Sequence, residues 1–195
     1  MELLDIGALF VTTFLGAFLA FGLENLRERR RLTTWVRQHL GHLRGTISGE
    51  EATVGDVDAL LAKKIAACDA WLTAKKPDEV TEEQWELLGS TAIAHAPDFG
   101  AVLRSEALTV IPPDLGIALS QTEAAGAQTE EVSRQVLADF DSVQDRWFER
   151  TVPLSEPDRR RLRRLRDHLV ELQETVAQVR QPLRALLAGI EGWID

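Results

Sequence analysis

Four histidines, one cysteine and a scatter of carboxylate pairs are the side chains of this 195-residue chain that invite a chemical reading. His39 and His42 stand three apart, one helical turn, and in principle share a metal ion. A zinc-type centre needs three or four ligands, and no acidic residue four positions away completes the set. His95 adjoins Pro97 and Asp98 and reads as a turn residue, while His168 has Asp167 or solvent as its partner. Cys68 falls at an apolar helical position and reads as a small buried hydrophobe. A lone cysteine makes neither an intramolecular disulfide nor a cysteine zinc site. Carboxylates such as Glu130 and Glu131, or Asp139 and Asp141, lie in an acidic helix with nothing to converge them on a cleft. Gly-rich phosphate loops, Gly-x-Ser-x-Gly, Cys-x-x-Cys and His-Glu-x-x-His do not occur. The expectation is a non-enzymatic chain with no catalytic residue, no metal and no cofactor.

Location and contact are what remain to read. Asp and Glu number 31 against 22 Lys and Arg, a net charge of −9 that disfavours nucleic acid as a partner. Ile6 to Leu23 is a run of 18 residues without a charge. At helical rise it is about 27 Å long, enough for a bilayer core. A cleaved signal peptide is the competing reading. It needs a basic start and a small-x-small cleavage site, whereas this start carries Glu2 and Asp5. Arg27, Arg29, Arg30 and Arg31 follow the run, so the positive-inside rule places them in the cytoplasm. The expected organisation is a short extracytoplasmic tip (1–5), a transmembrane helix (6–23) and a cytoplasmic helical domain (24–195). The expected location is a bacterial inner membrane, crossed once.

The span has two faces. Ala8, Thr12, Gly16 and Ala20 form a ridge of small side chains that would let another helix approach closely. Phe10, Phe14, Phe18 and Phe21 form a stripe roughly opposite, turned to lipid or to a partner, with Trp35 a few turns further on. The plainer reading is that phenylalanine faces lipid and the small residues are mere composition. No residue of the span is ionisable, so it has no proton relay of its own.

Beyond the span the periodicity is helical throughout, with no strand alternation and no internal repeat. Val36, Leu40, Leu43, Ile47, Val54, Val57, Leu61, Ile65, Cys68 and Leu72 step by three and four, with Glu50 the one break. The seam keeps phase across Gly45 and Gly49, which predicts one helix from about 24 to 74, bent at most near those glycines. Pro77 ends it. Thr81 to Gln84 is a capping box for a short helix, and Asp98 caps another through Phe99, Val102 and Leu103. Pro112-Pro113-Asp114 starts a second long helix, which could be interrupted around Ala124 to Thr129. Ser155-Glu156-Pro157-Asp158 starts the last, with a seam from Leu162 to Trp193 and Pro182 inside it. Trp71, Trp85, Trp147 and Trp193 fall in the expected core or cap, Trp193 also suiting an interface anchor.

This pattern predicts an all-α fold: one transmembrane helix continuing into an elongated antiparallel bundle of about three long helices, with a distal cap of short ones. If consecutive long helices alternate direction, the Val152–Ser155 turn returns to the bilayer. Arg159, Arg160, Arg161, Arg163, Arg164 and Arg166 would then join Arg27 to Arg31 in one juxtamembrane basic belt. Six cations near a helix N-terminus oppose the macrodipole, so proximity to anionic headgroups is the expected reason for them. A solvated basic face is the alternative. Residues 50–151, with 20 Asp/Glu and 8 Lys/Arg, would project away from the lipid.

The segment from Gly16 to Glu28, with Gly16, Ala20, Asn25 and Glu28 in register, resembles the anchor end of a bacterial family, domain-of-unknown-function family 6090. Phe99, Leu103, Ser105, Leu108, Ile111, Leu115 and Leu119 are similar in layout to a second stretch of that family. The chain departs from the pattern at Glu106, where the family has glycine, at Leu9, where an acidic residue is usual, and in having no tyrosine. The resemblance implies one N-terminal span and a helical cytoplasmic region, and no activity. The functional expectation is a scaffold or accessory subunit of a larger membrane complex, of the respiratory or photosynthetic kind. Its partners would be lipids and other membrane subunits or itself. The rival expectation is a homo-oligomeric channel or effector built by the span.

Overall fold

The computed structural model describes residues 3–90, 102 and 106–194, with side chains from residue 18 onward. These residues form helices and turns: α1 (Leu3–Thr73), a 3-10 turn (Pro77–Glu79), α2 (Glu82–Gly89), a second 3-10 turn (Glu106–Thr109), α3 (Pro113–Phe148) and α4 (Glu156–Ile194). The all-helical bundle matches the expectation.

α1 is one helix of 71 residues, about 105 Å at helical rise. It runs unbroken through Gly45, Gly49 and Gly55, where an added Cβ would meet open space. Each glycine costs a helix interior about 1 kcal/mol, so the apolar seam on the opposite face must hold the helix together. Val36, Leu40, Ile47, Leu61 and Cys68 are all buried on that seam. Glu50, its one polar position, is half-buried, and loss of water pushes its carboxyl pKa up. Thr81 caps α2 with the capping box that its spacing predicts. α3 is continuous through Ala124–Thr129, without the interruption that the small polar stretch invited. Thr122 and Thr129 are buried there, and each hydroxyl donates to its own helix, to the carbonyls of Ala118 and Ala125. Their small size gives α4 a close neighbour. α4 starts at Ser155, whose hydroxyl accepts the Asp158 amide, and runs through Pro182 to Ile194.

α4 is the central helix, packed along both α1 and α3. Arg166 pairs with Asp69, Gln173 Nε2 donates to Asp58 at 2.7 Å, and Arg184 Nε donates to Glu51 at 2.7 Å. Residue numbers rise on one helix as they fall on the other, so α4 is antiparallel to α1. α3 begins beside Gly189 of α4 and ends against α2, where Trp147 Nε1 donates to the Trp85 carbonyl at 2.8 Å. It therefore runs parallel to α1. Two apolar clusters fill the rod. The distal one holds Trp71, Trp85, Val143 and Leu162; the proximal one holds Val36, Leu40, Ile111, Leu119 and Ile190.

This order corrects the expected topology. The Val152–Ser155 turn lies at the distal end, since the Trp71 indole donates to the Thr151 carbonyl at 3.1 Å. The reversal happens earlier. Gly89 lies against Trp147 at the distal end, and Ile111 lies in the proximal cluster with Val36. The chain between them can reach about 70 Å when extended, against about 47 Å of helical rise from Leu40 to Trp71. The distal cap consists of α2 and the Pro77–Glu79 turn, whereas Glu106–Thr109 packs at the proximal end. Phe99 and Leu103, where a further short helix was expected, lie outside the described residues.

Candidate functional site: the helical neck and the two ends of the rod

α1 leaves the rod at its proximal end as a single helix. Residues 18–31 are all exposed, and Val36 is the first buried one after them. Residues 24–35 form a neck of about 18 Å. Arg27, Arg29, Arg30 and Arg31 are exposed on it, and Thr33 and Thr34 donate to the carbonyls of Arg29 and Arg30. Ala20, Phe18 and Phe21 are also exposed. The side chains of Ala8, Thr12, Gly16, Phe10 and Phe14 lie outside the described residues, although their backbone is part of α1. Among the described residues no helix is long and apolar enough to cross a membrane. Most of the segment expected to cross, 6–23, lies in the stretch whose side chains are not described.

A collar of aromatic and basic side chains rims the rod where the neck enters. Trp35, 42% exposed, stacks on His39 with ring centroids 5.3 Å apart and 9° between planes. Arg37 lies over the Trp193 ring at 5.4 Å. Leu108 and Ile117 are exposed at the same end. His42 points to solvent while His39 is half-buried, and no group of three potential ligands is assembled among the described residues.

The expected basic belt is not formed. Arg166 sits beside Asp69, which is 38 residues beyond Arg31 on the same helix, about 57 Å at helical rise. Arg159, Arg160, Arg161, Arg163, Arg164 and Arg166 therefore lie at the far end of the rod from Arg27–Arg31. Acidic residues of all three long helices explain several of them: Arg161 pairs with Asp158, Arg163 with Glu156, and Arg166 with Asp69 and Asp167. Arg164 Nη1 lies 3.9 Å from Asp139. Asp139 is nearly buried and takes a second partner, His168 Nδ1 at 2.6 Å. His168 thus pairs with α3 rather than with its chain neighbour, and Asp139 is an interhelical tie rather than one of a scattered pair. No sequence signal distinguished it from Asp141.

Tryptophan and one glycine close the distal end. Trp71 and Trp85 meet edge to face at 5.2 Å. Arg150 adopts a left-handed backbone (φ 47°) after α3, with the Thr151 amide donating to Arg146 and the Arg150 amide to Trp147, both at 3.0 Å. Its guanidinium lies over Trp85 and pairs with Glu82. Gly89 has no room for a side chain, because an added Cβ would collide with the Trp147 six-membered ring. Gly89→Ala is expected to displace Trp147, lose its bond to Trp85 and cost about 1–3 kcal/mol. A double-mutant cycle with Trp147→Phe, read by denaturant unfolding, should show strong coupling. Additive costs would rule the collision out.

No family model, curated protein or solved structure matches the chain.

Proposed function

We propose that the chain is a single-pass protein of a bacterial cytoplasmic membrane. Its helical rod acts by contact, as a scaffold or accessory subunit of a larger membrane complex, and not by catalysis. The continuity of α1 carries this reading. One helix runs from the uncharged segment Ile6–Leu23, through the Arg27–Arg31 cluster, to the distal end of the rod. A span joined to its domain by helix rather than by a flexible linker holds that domain at a set height and transmits orientation.

The neck gives the height. The headgroup layer is about 5–8 Å deep on each side of the hydrocarbon. A neck of about 18 Å therefore carries Trp35 and the first core layer roughly 10 Å clear of it, if the helix stands upright. On this reading Trp35 belongs to the rim of the rod and faces a partner, while Arg27–Arg31 occupy the headgroup level. The resemblance of Gly16–Glu28 to family 6090 implies the same layout, one N-terminal span followed by a helical region.

Two measurements test the proposal. Cysteines placed at Ser48 and Asp195 in intact cells should be shielded from membrane-impermeant reagents, and one at Glu2 should be labelled. Labelling at Ser48 with protection at Glu2 would reverse the topology. Purification in mild detergent followed by mass spectrometry should recover other membrane subunits. Gly16→Leu is expected to release them and Phe14→Leu to retain them, since a bulky side chain blocks close helix approach. A homo-oligomer that conducts ions in bilayers, with no other chain bound, would establish a channel instead.

A further inference from the structure

Lys64 is a buried polar residue of α1 that adjoins its apolar seam. It is 7% exposed, and its Nζ donates to the Leu87 carbonyl at 2.7 Å and to the Ser90 carbonyl. These carbonyls are at the C-terminal end of α2, the negative end of its dipole, so the ammonium caps that helix. Burial pushes the Lys64 pKa down. An ammonium has three protons, and among the described residues no carboxylate faces the third.

Ser133, on the buried face of α3, is 3% exposed, and its hydroxyl has no hydrogen-bond partner. The other buried hydroxyls of α3 and α4 behave differently: Thr122, Thr129 and Thr175 each donate to a carbonyl of their own helix. Ser133 and Lys64 line one cavity of about 30 Å³, together with Ser90. The remaining wall is apolar, with Leu61, Phe140 and Leu169 among its residues. That space suits one or two waters and excludes any organic ligand. An anion would sit beside two carbonyl oxygens, which disfavours it.

We propose that this cavity is a hydration site in which a water bridges Lys64 Nζ and Ser133 Oγ. The water accepts a hydrogen bond from the third ammonium N–H and exchanges one with the hydroxyl. It completes a latch that ties α2 and the start of the following segment to α1 and α3. Both buried polar groups are then satisfied, as buried groups require. The sequence concealed the site because Leu87, Ser90 and Ser133 lie 23 to 69 residues beyond Lys64.

The test uses the full chain in detergent. Ser133→Val removes the hydroxyl and puts an extra methyl group into the cavity, which excludes the water, and Ser133→Ala, which removes the hydroxyl alone, is the milder second variant. Amide exchange in α2 is expected to speed up about tenfold in Ser133→Val and less in Ser133→Ala, with the α4 amides around Leu183 unchanged. A crystal grown with bromide should show a water about 2.7–3.1 Å from both atoms and no anomalous peak. A bromide peak there would make the site an anion site and overturn the assignment. So would unchanged α2 exchange in both variants, or a Ser133 hydroxyl found bonded to its own helix.

Discussion

Trp71→Ala is expected to be the most damaging single substitution at the distal end, at about 3–5 kcal/mol. The side chain is 1% exposed, touches Trp85 edge to face, and donates to the carbonyl of Thr151 in the turn before α4. Alanine removes the ring from the distal cluster and leaves that carbonyl without its donor. Trp71→Phe keeps most of the ring and loses only the indole bond, so about 1 kcal/mol is expected. Denaturant unfolding of the full chain in detergent measures both. Equal losses for the two variants would mean that the hydrogen bond, and not packing, holds the end together. Amide exchange should place the damage in α2 and the first turns of α4. Exchange around Leu186 and Ile190, in the proximal cluster, should hardly change.

Cys68 is expected to be unreactive while the protein is folded. It is fully buried, and burial is the main cause that pushes its thiol pKa up to about 12, with Asp69 adding to the shift. At pH 8 a thiol of that pKa holds roughly a thousandth of the thiolate of an ordinary cysteine, before any steric protection. Alkylation by a small maleimide should therefore follow unfolding, with a half-life that collapses in denaturant. Fast labelling of the native chain would place the thiol outside the core. The same shift has a consequence for stability. The folded state favours the neutral thiol, so the contribution is intact below the unfolded value near 9 and is lost as pH rises toward 12. Cys68→Ala should flatten the alkaline limb of the stability profile, at the cost of a small cavity.

Local chemistry made much of the architecture legible. A seam with steps of three and four marks a helix whether or not its partner is known, and it carried α1 across Gly45 and Gly49 correctly. Thr81 and Ser155 capped the helices whose starts they announced, because a hydroxyl one turn before an apolar run meets amides that have no other acceptor. The burial of Cys68 and of Trp71 and Trp85 followed from position on the seam or in the cap. The functional groups were less legible. Lys64 follows Lys63, which is exposed, and nothing in the sequence marked one of the two for burial, and Asp139 resembled Asp141. Which carboxylate meets His168 depends on the register of α3 against α4.

The sequence by itself determined the helices, their ends, the face each would bury, and an uncharged segment with arginines behind it. These depend on backbone hydrogen bonding, on side-chain spacing and on charge, all of which act within a few residues. Only the tertiary structure decided that α3 runs parallel to α1, that α4 lies between them, and that Arg159–Arg166 stand at the opposite end from Arg27–Arg31. Burial of apolar surface has no direction: a seam of leucines packs as well against a parallel partner as against an antiparallel one. The direction of α3 followed from where the chain turned back, between Gly89 and Ile111, and a link of that length is free to end at either end of the rod.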